Sequence, residues 1–100
     1  MEIKVQDNPE NLNVTLCGSF DTMASTQAEA TVKELEEMAS KPMTIDCHSL
    51  EYIASSGLRV LLRLRKACAA HGQQVTLCGV NEDIMEILRV THFDKMFILK

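Results

Sequence analysis

The chain of 100 residues is poor in features that several functions require. It has no tryptophan, one tyrosine and three phenylalanines, too few for a platform on which single-stranded bases stack. It also lacks an excess of positive charge. Fourteen acidic against ten basic side chains leave a net charge of -4, which opposes a phosphate backbone, so nucleic acid is not an expected partner. No apolar stretch approaches the roughly 18 residues that span a bilayer, and direct membrane insertion is not expected. The opening Met1-Glu2-Ile3-Lys4-Val5 has no charged region followed by an apolar one, so no secretory leader is read and the expected address is the cytoplasm. The four glycines form no G-x-S-x-G elbow, no phosphate-binding loop and no G-x-G-x-x-G fingerprint. Catalysis and a cofactor are therefore not expected.

Cysteine is present but not in a pattern. Cys17, Cys47, Cys68 and Cys78 are widely spaced with no C-x-x-C pair, and each falls among apolar residues, so all four read as small core hydrophobes. The histidines, His48, His71 and His92, lie far apart. Cys47-His48 supplies two possible metal ligands, but no further pair completes a zinc set, and no metal is expected. His71 falls at a predicted helix end, where a cation suits the dipole. The acidic pairs Glu36-Glu37 and Glu82-Asp83 fall on polar helix faces.

What remains is 46% hydrophobic and 24% charged, the proportions of one globular domain over residues 1–100. Ile3 and Val5, a turn at Asp7-Asn8-Pro9-Glu10-Asn11, and Leu12, Val14 and Leu16 up to Gly18 predict a β-hairpin. From Ser25 the period changes. Ala28, Val32, Leu35 and Ala39 form the apolar face of a helix that ends at Lys41-Pro42. Met43–Cys47 reads as a central strand, followed by a turn through His48-Ser49-Leu50-Glu51. Ser55-Ser56-Gly57 opens a second predicted helix to about Ala70, capped by Gly72. Gln74–Cys78 is a strand, Asn81 caps a third helix bearing Ile84, Met85, Ile87 and Leu88, and Met96–Leu99 is a last strand after a short piece at Thr91–Lys95. The order β-β-α-β-α-β-α-β predicts an α/β domain with a mixed sheet packed with helices.

Two serines at one helix start exceed what a single cap needs, and free first-turn amides also attract anions. A phosphoryl group on Ser55 would lie at the positive end of the helix. Arg59, Arg63 and Lys66 follow at i, i+4 and i+7, a basic stripe in an acidic chain, suited either to solvent or to an acidic partner.

Gly18-Ser19-Phe20-Asp21, Ile45-Asp46, Leu50, Tyr52-Ile53-Ala54-Ser55-Ser56-Gly57-Leu58 and Val75-Thr76-Leu77-Cys78 resemble the STAS domain, and within it bacterial anti-sigma factor antagonists. The resemblance runs from the opening hairpin to His92-Phe93-Asp94-Lys95-Met96-Phe97, and its most specific piece is the S-[ST]-G-L segment. It implies that Ser55 is the serine phosphorylated by a partner kinase, with Ser56 as second choice, and that Asp21 and Gly57 belong to the neighbourhood of that site. It implies an anti-sigma factor partner of the histidine-kinase-like ATPase type, bound when Ser55 is unmodified so that the sigma factor is released, and a phosphatase that reverses the modification. One position departs from the family: Ala54 stands where Asp commonly precedes the serine. Two other readings of the same residues are a STAS subunit docked on a transporter ATPase, without a phosphorylation cycle, and a small phosphocarrier enzyme using Ser55.

Overall fold

Alternating apolar residues at the start of the chain build a hairpin in which β1 (Glu2–Asp7) pairs antiparallel with β2 (Leu12–Phe20). Its turn is closed by the Asn8 amide donating to the Asn11 carbonyl at 3.0 Å. The computed structural model describes residues 1–100, and the chain continues through α1 (Thr22–Gln27), α2 (Glu29–Glu37), β3 (Met43–Ile53), α3 (Ser55–Ala69), β4 (Val75–Cys78), α4 (Glu82–Val90), a 3₁₀ turn (Phe93–Lys95) and β5 (Ile98–Leu99). The sheet runs β1-β2-β3-β4-β5, parallel from β2 onward. Each crossover steps in the same direction across the sheet. Crossovers of one hand therefore place their helices on one face.

Burial follows that topology. Paired residues Val14, Ile45 and Leu77 are buried, as are Leu12, Met43 and Val75, and α2, α3 and α4 cover them with Val32, Leu35, Leu61, Leu64, Ile84 and Leu88. The intervening residues Asn13, Thr15, Thr44, Asp46 and Thr76 line the opposite face and stay partly exposed. Parallel strands are usually covered on both faces and apolar on both. Here polar alternation keeps one face in water.

Four expectations are corrected. The first helix begins at Thr22, three residues before Ser25, because the Asp21 carboxylate accepts the Ala24 amide at 2.8 Å and caps it; the helix then divides at Ala28. The predicted turn at His48–Glu51 is strand: β3 continues to Ile53 through an irregular register. There the Asp46 carboxylate accepts the His48 amide at 3.0 Å, a local bond that competes with the sheet ladder. Its partner β2 also runs past Gly18, whose φ of +98° accommodates a register shift that few other residues would tolerate. Finally, only Cys47 and Cys68 are core residues, burial pushing the Cys47 thiol up to about 12, whereas Cys17 and Cys78 are partly exposed on the open face.

Candidate functional site

The junction of β3 and α3 is held against the end of β2. The Ala54 amide donates to the Phe20 carbonyl at 2.9 Å, and α3 starts at the next residue. Gly57 explains how the helix can come so close. A Cβ at this position would lie 2.8 Å from Ile53 Cγ1 and 2.9 Å from the Phe20 carbonyl oxygen, so only glycine fits without displacing backbone. Gly57 lies two residues past Ser55, and its role in the structure is close packing.

Neither serine caps the helix. The N-cap is Ala54, in an extended conformation and without a side-chain hydrogen bond, so Ser55 and Ser56 occupy the first two helical positions. The capping role read from the sequence is corrected accordingly. Ser55 is exposed and its hydroxyl makes no hydrogen bond within the chain, whereas Ser56 turns toward α1. Ser56 Oγ lies 3.2 Å from Ser25 Oγ and 3.4 Å from Thr22 Oγ1, and Ser25 Oγ in turn reaches the Asp21 carbonyl at 2.9 Å. Asp21 acts as the cap of α1, and through that helix it orders hydroxyls beside α3. Thr22 and Ser25 were not singled out from the sequence. Their signal is the spacing after Asp21, one and four residues past a capping acid.

The basic stripe divides into unlike parts. Arg63 reaches back to α2, its guanidinium 2.9 Å from Glu29 Oε1 and 2.8 Å from Glu36 Oε1, with Nε 3.4 Å from Glu36 Oε2. That hydrogen bond holds the Glu29 carboxyl below its ordinary range, and the two acids raise the arginine in return. Arg63 is therefore a tie between helices and not a free cation of the surface. Arg59 and Lys66 are exposed and form no ion pair. Arg59 lines a cleft of about 360 Å³ between α1 and α3, together with Thr22, Ser25, Thr26, Ser56 and Glu29. Near the same end of the sheet, Met23 of α1 and Tyr52 of β3 are exposed apolar side chains.

A second depression, of about 350 Å³, lies on the open face around Asp46, His48, Cys78 and Thr15. His48 Nδ1 is 2.6 Å from Asp46 Oδ1, and its ring rests on Gly79, where a Cβ would overlap it. The His48 amide and ring nitrogen together hold the Asp46 carboxyl below its ordinary range. No helix is long and apolar enough to cross a membrane.

The chain is similar in sequence and in fold to known proteins. BtrV of Bordetella bronchiseptica, a proposed anti-sigma factor antagonist, is 26% identical over 82 residues, covering 82% of this chain and 71% of its own. A Thermotoga maritima protein, also proposed to be an anti-sigma factor antagonist, superposes with a TM-score of 0.85 at 16% identity, over 97% of this chain and 84% of that one. The Bacillus cell fate determinant SpoIIAA in its phosphorylated form gives 0.75 at 14% identity, over 99% and 91%. These two solved structures share the fold. The family model of the STAS domain matches residues 2–100, and the chain belongs to the STAS domain family.

Proposed function

We propose that this protein is an anti-sigma factor antagonist without catalysis of its own, switched by a phosphoryl group on Ser55. Unmodified, it binds an anti-sigma factor that is a serine kinase of the histidine-kinase-like ATPase type, and the sigma factor is released. Phosphorylation of Ser55 blocks that binding, and a phosphatase restores it. One observation carries the reading. Of the three helices that directly follow a strand, α1 and α4 have side-chain caps and α3 has none, and its first residue is an exposed serine with an unengaged hydroxyl. A relative named for anti-sigma factor antagonism, and a fold neighbour solved in a phosphorylated form, support the same assignment. Ser56, turned into the hydroxyl cluster, is the second choice.

The energetics set two effects of the phosphate against each other. At the first turn of α3 its charge stabilises the folded chain by about 0.3–1 kcal/mol through the dipole and free amides. In a partner interface the same charge loses water, at a cost of several kcal/mol that an ion pair repays only in part. The interface effect is larger. Met23 and Tyr52 supply apolar contact area near the serine, where a dianion is poorly accommodated.

Calorimetric titration against the anti-sigma partner tests this. Phosphorylated protein is expected to bind at least ~100-fold more weakly, about 2.7 kcal/mol, with an unchanged or slightly higher melting temperature. Ser55→Ala should bind and ignore the kinase, and Ser55→Glu should imitate the phosphate only in part. Equal affinities for the modified and unmodified forms would overturn the switch.

A further inference from the structure

We propose that Arg59 is the internal receptor of the phosphoryl group on Ser55, a positioning residue that draws the modified side chain along α3. This rests on the phosphorylation reading above and adds a residue to it. Arg59 follows Ser55 by four positions, so the two lie on one helix face a single turn apart. It is exposed and has no ion pair, although the chain is acidic. The other arginines are engaged: Arg63 by Glu29 and Glu36, Arg65 by the Met96 carbonyl at 2.8 Å, Arg89 beside Glu82 and Glu86. Lys66 is eleven residues beyond Ser55, about 16 Å along the helix axis, and out of reach.

No carboxylate pairs with the guanidinium. The first turn of α3 carries no acid, and Glu29, the carboxylate in the cleft that Arg59 lines, is bonded to Arg63 through Oε1 while its Oε2 has no partner. A phosphate monoester offers the three acceptor oxygens that a planar guanidinium binds in pairs, and an acid N-terminal to a base at this spacing is the favourable order. In the unmodified chain Arg59 presents a free positive charge beside an uncharged serine. Phosphorylation therefore does two things at once: it adds negative charge at Ser55 and withdraws a cation from the surface one turn away.

The test needs no kinase or partner. Phosphoserine is installed genetically at position 55 of the full chain, and its second ionisation, near pH 6 for a free phosphoserine, is followed by phosphorus NMR. The midpoint in Arg59→Gln is expected to lie roughly half a pH unit or more above that of the otherwise unchanged protein, with Arg59→Lys in between. Lys66→Gln, which removes an exposed and unpaired charge out of reach of Ser55, serves as the control and should keep the original midpoint. Equal midpoints with Arg59 and with Gln at this position would overturn the proposal, as would an equal displacement by Lys66→Gln. Either result leaves the switch itself to the affinity measurement, and equal affinities there, with a displaced midpoint here, would remove the switch and keep the receptor.

Discussion

At the start of α4, Asn81 accepts the Ile84 amide at 2.8 Å, and Glu82 and Asp83 fill the first turn with negative charge. At the start of α3, Ala54 has nearly the same extended backbone, φ -89° and ψ 171° against -72° and 165° for Asn81, but no capping side chain, and no acid follows. The third helical residues differ as well. Ile84 anchors α4 by inserting a buried side chain, whereas Gly57 anchors α3 by having none, which lets the helix backbone meet Phe20 and Ile53 directly. The two ends share backbone geometry and differ in what their side chains complete. One is satisfied within the fold, and the other is rigidly placed yet left open to an added anion.

The largest effects should come from the two anchors. Ile84→Ala is expected to lose about 3 kcal/mol in urea unfolding because it leaves a void. Gly57→Val should lose about 2–3 kcal/mol for the opposite reason, overlap with Ile53 and the Phe20 carbonyl. A near-neutral Gly57→Val would mean that α3 is not held by close approach.

Exchanging the caps gives smaller and opposite changes. Asn81→Ala should cost about 1 kcal/mol, and Ala54→Asp should gain about as much, since the backbone there already suits a cap. Thermal unfolding of both variants tests the contrast directly. If Ala54→Asp gains nothing, the start of α3 is not open in the sense argued above.

The smallest effect belongs to the α2–α3 tie. Glu29 titrates below its ordinary 4.5 in the folded chain, so its pairing with Arg63 stabilises above that value and is lost as pH falls through the lower folded value. Arg63→Gln should therefore lower the melting temperature modestly at neutral pH, with the difference from the unsubstituted protein shrinking below about pH 4. A difference that persists unchanged in acid would show that packing of the arginine stem, not the ion pair, links the helices.

The elements that could be read in advance are those with strong local patterns. The hairpin follows from alternation and an Asn-Pro turn, α4 from its Asn81 cap, and the end of α3 from Gly72, whose φ of +71° lets the Gln73 amide return to the Cys68 carbonyl. What was misread depended on side chains acting over short range against the expected pattern. Asp46 bonding to the His48 amide looks like a turn in sequence, yet β2, which pairs Cys17 with Ser49 and Gly18 with Leu50, keeps the segment in the sheet after β4 has left it at Asp46. Asp21 was legible as a site acid but not as a cap, because the apolar period becomes clear only from Ala28 onward.

By itself the sequence determined that the chain is one α/β domain, that two serines and a glycine open its central helix, and that a basic stripe follows them. Those properties are local, set by the spacing of apolar residues and by backbone preferences within a few positions. Only the tertiary structure decided that all helices lie on one face, that Ser56 joins the hydroxyls of α1 while Ser55 stays free, and that Arg63 is consumed by Glu29 and Glu36 while Arg59 is not. Side chains at adjacent or i+4 positions look equivalent in sequence, and they acquire different roles because α1 brings its hydroxyls to Ser56 and α2 its carboxylates to Arg63, while Ser55 and Arg59 receive no such partner.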